Sequence, residues 1–558
     1  MPGLHFPIQY SDIFEGKVPQ LAELFKFFTR RQLVDFAFII TNNSLLKSDF
    51  VVLCNHIFVS SGSSEAINLI QTKLKPSYFG KHCLAGIHTG VELQRQIFSL
   101  DPHYEPKRVS EREKEWALFK IVLIINEMMS APMKLTEIDP NDNLAIAYVG
   151  IVTSMPCDDL LNFDPRLLLV HAYKAQQLLL FCQQHENLNW IVEEFCRIHS
   201  CSCINEYICF MSKTFIQIFE NGKNGFCQLN THGDDEAFNE FIRKKLKVLS
   251  ISVNETISLE DNIDYKAFRA KPIIEVAEGS FYVIAPTFLL NAFYNSIKFT
   301  AEALAKKHNI KIDVNSIISY EFTEQKLFYA LLKDSIYPKA IHITGKYCNN
   351  LNISSPPDYY IRNWNDVYLF ELKDYRLLAS LRGNPQIKEI TEYIDTRLVK
   401  KNNQCNGEVS NGAILQLVNN IDRVCKSQFK ADPQTGKIKN IYPILVFGES
   451  SYVIPGMTQL LDNALKVELS KINIPNRIKI HNLLLLDIDS LIFFYNALAS
   501  KNTDFKDLIK CYYNFTKGKQ KPQNIMEILM WLTISFSSYL KQYKRKYIKD
   551  FDPTKIQI

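Results

Sequence analysis

The segment Pro357–Lys373, which reads PDYYIRNWNDVYLFELK, decides the fold of the C-terminal half of this chain. It contains two runs of strand-forming residues on either side of the dipeptide Trp364–Asn365, a pattern typical of a β-hairpin. A turn at that dipeptide sets a register in which Asp358 lies directly opposite Glu371, with Cβ atoms about 4.5–5.5 Å apart. Lys373 lies two residues after Glu371 and therefore on the same face of its strand. The segment predicts an antiparallel hairpin that brings two carboxylates and one ammonium group together.

The chemistry of such a cluster follows from its charges. Glu371 and Lys373 end the apolar run Val367–Phe370, and an unpaired charge in a central strand is costly. Two carboxylates held side by side repel each other unless one takes a proton or a cation lies between them. A hard divalent cation prefers oxygen ligands and retains water, and a neighbouring lysine can orient a water molecule toward a phosphate. The alternative is that Asp358 is a turn residue and that Glu371 and Lys373 form a surface pair.

The segment resembles the motif of the PD-(D/E)xK nuclease superfamily, with Asp358 in its first half and the triplet Glu371–Lys373 as its second half. The resemblance covers about residues 315–490 and implies a restriction-endonuclease-like domain, in which helices flank a central mixed sheet. It implies that Asp358, Glu371 and the main-chain carbonyl of Leu372 bind Mg²⁺ or Mn²⁺. Lys373 would then help to activate water.

Two further residues are implied by the same resemblance, because many members carry a glutamate on the helix before the motif and a glutamine on a helix after it. Glu324 best matches the glutamate, and Glu321 on the same helix is the second choice. Gln416 best matches the glutamine. For each of these residues, a solvent-facing position on a helix is the alternative.

The implied function is hydrolysis of phosphodiester bonds in nucleic acid, with DNA favoured over RNA, in roles such as restriction or anti-phage defence. The sequence contains no G-x-x-x-x-G-K-[ST] loop, so a partner protein would supply any ATPase or sensor function. One alternative is a catalytically inactive module of the same fold that binds nucleic acid or serves in assembly. Another is a helical interaction scaffold whose C-terminal half merely resembles a nuclease.

The rest of the 558 residues divides by composition and periodicity. Helical periodicity dominates residues 1–250, which predicts a mainly helical domain that senses a signal, binds a partner or positions nucleic acid. Residues 251–315 are predicted to be a connector, made of a β-hairpin turning at Gly279 and a helix. Strands and helices alternate over residues 316–558, which indicates the nuclease-like domain with helices at its C-terminal end. The predicted fold class is mixed α/β.

The composition favours a cytoplasmic protein without a membrane span. The thirteen cysteines lack the regular spacing of a disulfide framework, which fits a reducing compartment. The net charge of +5 does not indicate a particular binding partner. The most apolar stretch, Ile480–Ala499, is interrupted by Asp487 and Asp489.

Other polar clusters are weaker signals. Cys196, His199, Cys201 and Cys203 are possible zinc ligands, but their spacing does not match paired zinc motifs, and buried free cysteines are the favoured interpretation. Helix capping is the favoured interpretation of His232–Glu236. The basic runs are consistent with contacts to a phosphate backbone or with a solvated face. They span Lys517–Lys521 and Lys541–Lys549.

Overall fold

The computed structural model describes residues 6–42, 50–60, 62–74, 82–130, 142–161, 164–223, 228–231, 236–374, 376–402, 409–500, 503–517, 533–544, 552 and 555–556. The chain is mixed α/β, as predicted, and forms two compact units. The first comprises residues 1–134 and 159–308, and the second comprises residues 135–158 and 309–558. Within the described ranges, no helix is long and apolar enough to cross a membrane. Most of His232–Glu236 and most of both basic runs lie outside the described residues.

The first unit is mainly helical. Its described helices are Tyr10–Ile13, Leu21–Phe25, Arg30–Asn42, Phe50–Ile57, Ser63–Lys73, Ile87–Phe98, Glu111–Ser130, Leu167–Gln184, Asn189–Ile198, Ile204–Lys223, Glu236–Val248, Ile263–Tyr265, Lys266–Ala270 and Pro286–Lys307, while the short helix Asp158–Leu161 begins at the unit boundary. A short parallel strand pair joins Phe6–Pro7 to His82–Cys83.

A four-stranded sheet completes the first unit. Its strands lie in the order Gln228–Asn230, Ser280–Val283, Ile273–Ala277 and Ser250–Ser252. The two middle strands form the predicted hairpin, and Gly279 lies in its turn with a φ of +72°. The hairpin and the helix after it, predicted as a connector, therefore lie inside the first unit.

The second unit is built around a six-stranded mixed sheet. We number its strands β1 (Ile341–Thr344), β2 (Tyr359–Asn363), β3 (Asp366–Lys373), β4 (Asn440–Phe447), β5 (Lys479–Ile480) and β6 (Leu484–Asp487). β1, β2 and β3 are antiparallel neighbours, β4 lies parallel to β3, and both β5 and β6 pair in parallel with β4. An antiparallel strand pair, Lys400–Asn402 and Val409–Asn411, stands apart from this sheet.

Helices accompany this sheet throughout the second unit. They are Asn143–Ser154, Val314–Ile317, the π-helix Ile318–Phe328, Tyr329–Ser335, Gly345–Asn350, Ala379–Gly383, Ile387–Tyr393, the π-helical segment Ile394–Val399, Ala413–Cys425, Thr435–Lys437, Ser450–Tyr452, Met457–Leu469, Ile488–Ala499, Phe505–Thr516 and Phe536–Tyr543. β3 is buried along nearly its whole length, which explains its continuous apolar run. On one face, Val367 and Leu369 join a core with Ile414 and Leu417 of the helix Ala413–Cys425. On the other face, the ring of Phe370 lies 6.2 Å from that of Phe328.

Gly456 fixes a close approach of two chain segments in the second unit. It precedes the helix Met457–Leu469 with a φ of +87°, and a Cβ there would lie 2.0 Å from the carbonyl oxygen of Ala147. We expect Gly456→Ala to lower the free energy of unfolding by about 3 kcal/mol, because it combines left-handed strain with a backbone clash. Urea denaturation measures this loss.

Gly436→Ala is the matched control, since a Cβ at Gly436 meets no atom within 4 Å. We expect this variant to change the free energy of unfolding by less than about 0.5 kcal/mol. Equal effects of the two substitutions would contradict the close approach at Gly456.

Candidate active site at the open end of the hairpin

The hairpin formed by β2 and β3 has the predicted register. Tyr359 pairs with Phe370, and the strands turn at Trp364–Asn365, where Trp364 adopts a left-handed φ of 57°. Asp358 directly precedes β2, so continuing the register by one residue places it opposite Glu371. The two acids therefore lie at the end of the hairpin remote from the turn.

Short hydrogen bonds hold the cluster together. The ammonium of Lys373 donates to Glu371 Oε1 at 2.7 Å and to Gln416 Oε1 at 3.0 Å. The main-chain N–H of Leu372 donates to Asp358 Oδ2 at 2.6 Å. Asp358, Glu371, Lys373 and Gln416 are thus brought together, although the sequence places Gln416 far from the hairpin.

The helix Ala413–Cys425 positions Gln416 through a close contact at its start. A Cβ on Gly412 would lie 2.5 Å from the carbonyl oxygen of Leu398, so only glycine fits there without a shift. Gln416 then lies in the first helical turn, facing the end of β3, while Leu417 packs in the core beneath the sheet.

Burial raises the proton affinity of the acidic groups. Glu371 is fully buried, and its Oε2 atom has no hydrogen-bond partner among the described residues. Burial, with the added repulsion of Asp358, raises the pKa of Glu371 to about 8, while Lys373 opposes the increase. Burial also raises the pKa of Asp358, while the charge of Lys373, the N–H of Leu372 and a hydrogen bond from the carboxyl group of Glu371 lower it.

Glu324 is a third member of this electrostatic cluster. Burial and the repulsion of Asp358 raise its pKa to about 7, while a hydrogen bond of 2.6 Å from the hydroxyl of Tyr329 to Glu324 Oε1 lowers it. Glu321, the second choice, lies three residues earlier on the same π-helix and has a partly exposed side chain.

The pairing of Glu324 with Tyr329 could not be seen in the sequence. Residues five apart do not face each other on an α-helix, where neighbours are three or four apart. Residues 318–328 instead form a π-helix, in which the N–H of Tyr329 bonds to the carbonyl of Glu324. No residue-type signal marks this local change in helix pitch.

The donor set fits a hard divalent cation. Three carboxyl groups with raised pKa values, two of which share a hydrogen bond, would be relieved by a bound positive charge. Mg²⁺ in particular is held by one or two carboxylates and keeps several waters. Among the residues that the structure describes, no group of three or more His, Cys, Asp or Glu side chains is arranged as metal ligands. The available set is therefore Asp358, Glu371 and the carbonyl of Leu372, completed by water.

The cysteine cluster of the first unit is organised around a lysine. Cys196 and Cys201 are buried free cysteines, as favoured from the sequence, and Cys203 is free and exposed. The ammonium of Lys245 donates to Cys201 Sγ and to Glu206 Oε1, both at 3.0 Å. A buried ammonium among these side chains disfavours a metal cation by charge repulsion.

Comparison of the chain with protein-family models, with curated proteins and with solved structures finds no match. The function of the carboxylate cluster is therefore inferred from its own geometry and chemistry.

His199 makes the stability of the first unit depend on pH. Burial, with the charge of Lys245, lowers the pKa of His199 to about 4. The unfolded chain takes up this proton near pH 6.5, whereas the folded state does not until about pH 4. The contribution of neutral His199 is therefore complete above pH 6.5 and falls as the pH is lowered to about 4. We expect a loss of up to about 3 kcal/mol over that window.

The measurement compares the free energy of unfolding of wild type and His199→Phe between pH 7 and pH 4. As the pH falls, the free energy of unfolding of wild type should decrease steadily relative to that of His199→Phe. His103→Phe, at an exposed histidine, is the control and should leave the pH dependence unchanged. Parallel curves for wild type and His199→Phe would contradict the buried neutral state.

Proposed function

We propose that the second unit is a metal-dependent nuclease that hydrolyses phosphodiester bonds in nucleic acid. The observation that carries the proposal is the buried, adjacent pair of carboxyl groups of Asp358 and Glu371, which share a hydrogen bond while Lys373 donates to Glu371. Two buried acids side by side are costly for a purely structural role. A bound cation would take the place of the proton between them.

The strand order of the second unit supports the proposed membership of the PD-(D/E)xK superfamily. The acidic hairpin follows a helix and a strand, and helices and parallel strands follow it. This is the arrangement that the resemblance implies for such a nuclease. Because one fold hosts many functions, the side chains at the open end of the hairpin carry the argument for catalysis.

The residues of the site have distinct proposed roles. Asp358, Glu371 and the carbonyl of Leu372 would hold Mg²⁺ or Mn²⁺, which supplies Lewis-acid stabilisation of the phosphate. Lys373, whose side chain is 18% exposed, can reach a substrate while it remains bonded to Glu371. Its ammonium orients the attacking water and stabilises the negative charge that develops on the phosphate.

Gln416 and Glu324 support these groups. The bond from Lys373 to Gln416 Oε1 restricts the lysine to the side of the cluster that faces the helix Ala413–Cys425. Glu324 adds a third carboxylate beside Asp358 and strengthens the negative field that attracts a cation.

The proposed substrate is DNA ahead of RNA, and the proposed setting is restriction or anti-phage defence in the cytoplasm. We also propose that a partner protein supplies an ATPase or sensor function. These finer assignments are supported by the resemblance alone, whereas the proposal of metal-dependent hydrolysis is also supported by the geometry of the cluster.

A cleavage assay on DNA and RNA with Mg²⁺ or Mn²⁺ tests the nuclease proposal. We expect Glu371→Gln and Lys373→Met each to lower the cleavage rate by at least about 100-fold, because they remove a metal ligand and the charge beside the phosphate. Gln416→Leu should cost about 10-fold, through loss of the hydrogen bond that positions Lys373.

Lys426→Met is the control, because Lys426 pairs with Asp422 at the other end of the same helix. Its cleavage rate should equal that of wild type. If wild type cleaves neither DNA nor RNA with either metal, the nuclease proposal is wrong. Metal-independent binding of nucleic acid without cleavage would favour the inactive module.

Mg²⁺ should also stabilise the folded second unit, because it binds the folded carboxylate cluster and not the unfolded chain. At a concentration 100 times its dissociation constant, the expected gain is about 2.7 kcal/mol. Thermal unfolding with and without Mg²⁺ measures it. Glu371→Gln should abolish the gain, and Glu468→Gln, whose carboxylate pairs with Lys471 away from the cluster, should retain it.

A further inference from the structure

Asp374 links the end of β3 to the π-helix Ile318–Phe328. The residue directly follows Lys373, and its Oδ2 accepts a hydrogen bond of 2.8 Å from the hydroxyl of Thr323. Its carbonyl oxygen accepts a longer bond of 3.4 Å from the hydroxyl of Ser319, one turn earlier on the same helix. Two points of the π-helix are therefore attached to one residue at the mouth of the site.

Gly448, directly after β4, provides the space in which Asp374 lies. Its N–H donates to the carbonyl of Lys373 at 3.0 Å, which continues the β3–β4 pairing by one residue. A Cβ at Gly448 would lie 2.0 Å from Asp374 Oδ1 and 3.2 Å from Asp374 Cα. Any larger residue at 448 would therefore displace the Asp374 carboxylate. Close by, Arg376, two residues after Asp374, and Glu449, directly after Gly448, form an ion pair of 2.8 Å.

Thr323, which bonds the π-helix to Asp374, is adjacent in the chain to Glu324, the third carboxylate of the cluster. Thr323 is 2% exposed and precedes Glu324 in the chain. Glu324 in turn is bonded to Tyr329. A rotation or slide of this helix that broke the Thr323–Asp374 bond would move Glu324 as well, because the two residues share one helical backbone.

We propose that Asp374 is a positioning residue for the nuclease site. Its bond to Thr323 holds the π-helix in place, so that the Glu324 carboxylate stays beside the Asp358–Glu371 pair. Gly448 is required because a Cβ at this position would overlap the Asp374 carboxylate. This inference rests on the proposed function only in naming the cluster as a metal site; the attachment itself is a property of the fold.

Thr323 offers a matched pair of substitutions that separates positioning from packing. Thr323→Val keeps the shape of the side chain and removes the hydroxyl donor, whereas Thr323→Ser keeps the donor and removes a methyl group. We expect Thr323→Val to raise the Mg²⁺ concentration needed for half-maximal cleavage by about 10-fold and to lower kcat, with KM for nucleic acid unchanged. Thr323→Ser should restore values near those of wild type.

Thr396→Val is the control, because the Thr396 hydroxyl bonds only locally, to the carbonyl of Glu392 in the preceding helix Ile387–Tyr393. It should leave the Mg²⁺ dependence unchanged. Gly448→Ala is a second, independent variant, since it displaces the Asp374 carboxylate from the other side and should reproduce the effect of Thr323→Val. Gly436→Ala serves as its control.

Hydrogen exchange supplies a readout that does not depend on catalysis. Amides in the π-helix should exchange faster in Thr323→Val and Gly448→Ala than in wild type and Thr323→Ser. If wild type cleaves nothing, the proposed nuclease function fails, while this exchange pattern and the Mg²⁺-induced thermal shift still decide the positioning role. Wild-type Mg²⁺ dependence and wild-type exchange in Thr323→Val would overturn the inference.

Discussion

The buried carboxyl group of Glu371 at the end of a central strand is the constraint on which the organisation of the second unit depends. β3 is sandwiched between β2 and β4, and helices cover the sheet, so Glu371 is removed from water. A carboxylate in that position is tolerated only with compensating partners. Lys373 supplies a charge-assisted hydrogen bond to one oxygen, and the carboxyl group of Glu371 is hydrogen-bonded to that of Asp358. These partners compensate part of the cost of burial, and the proposed cation would compensate the rest.

Three elements that meet the end of β3 each contribute one group to this cluster. β2 brings Asp358, which is fixed by the N–H of Leu372. The helix Ala413–Cys425 brings Gln416. The π-helix brings Glu324, and its attachment passes through Asp374, the residue after β3. Since every contact converges on the last residues of one strand, an error in the register of β3 would misplace all of them together.

The parts of the site that follow from local sequence were predictable, and the parts that depend on packing were not. A two-residue turn at 364–365 fixes the hairpin register, so the sequence alone places Asp358 opposite Glu371. The pairing of Tyr329 with Glu324 depends on a π-helical pitch without a residue-type signature. The contact of Gly448 with Asp374 joins distant segments, and the membership of residues 135–158 in the second unit is likewise non-local.

Two buried charged clusters in this chain show how a structural cluster differs from a candidate site. Lys245 is 1% exposed, and its three ammonium hydrogens are matched by Ser200, Cys201 and Glu206. That cluster balances one cation with one carboxylate, so it gains nothing from a further ion. The cluster of the second unit instead holds three carboxyl groups against the one ammonium of Lys373, and burial raises the pKa values of all three, so that they retain protons to a higher pH than exposed acids do. Under the proposed function, a divalent cation would replace those protons and bind the ionised groups. The charge balance, more than the residue types, distinguishes the two.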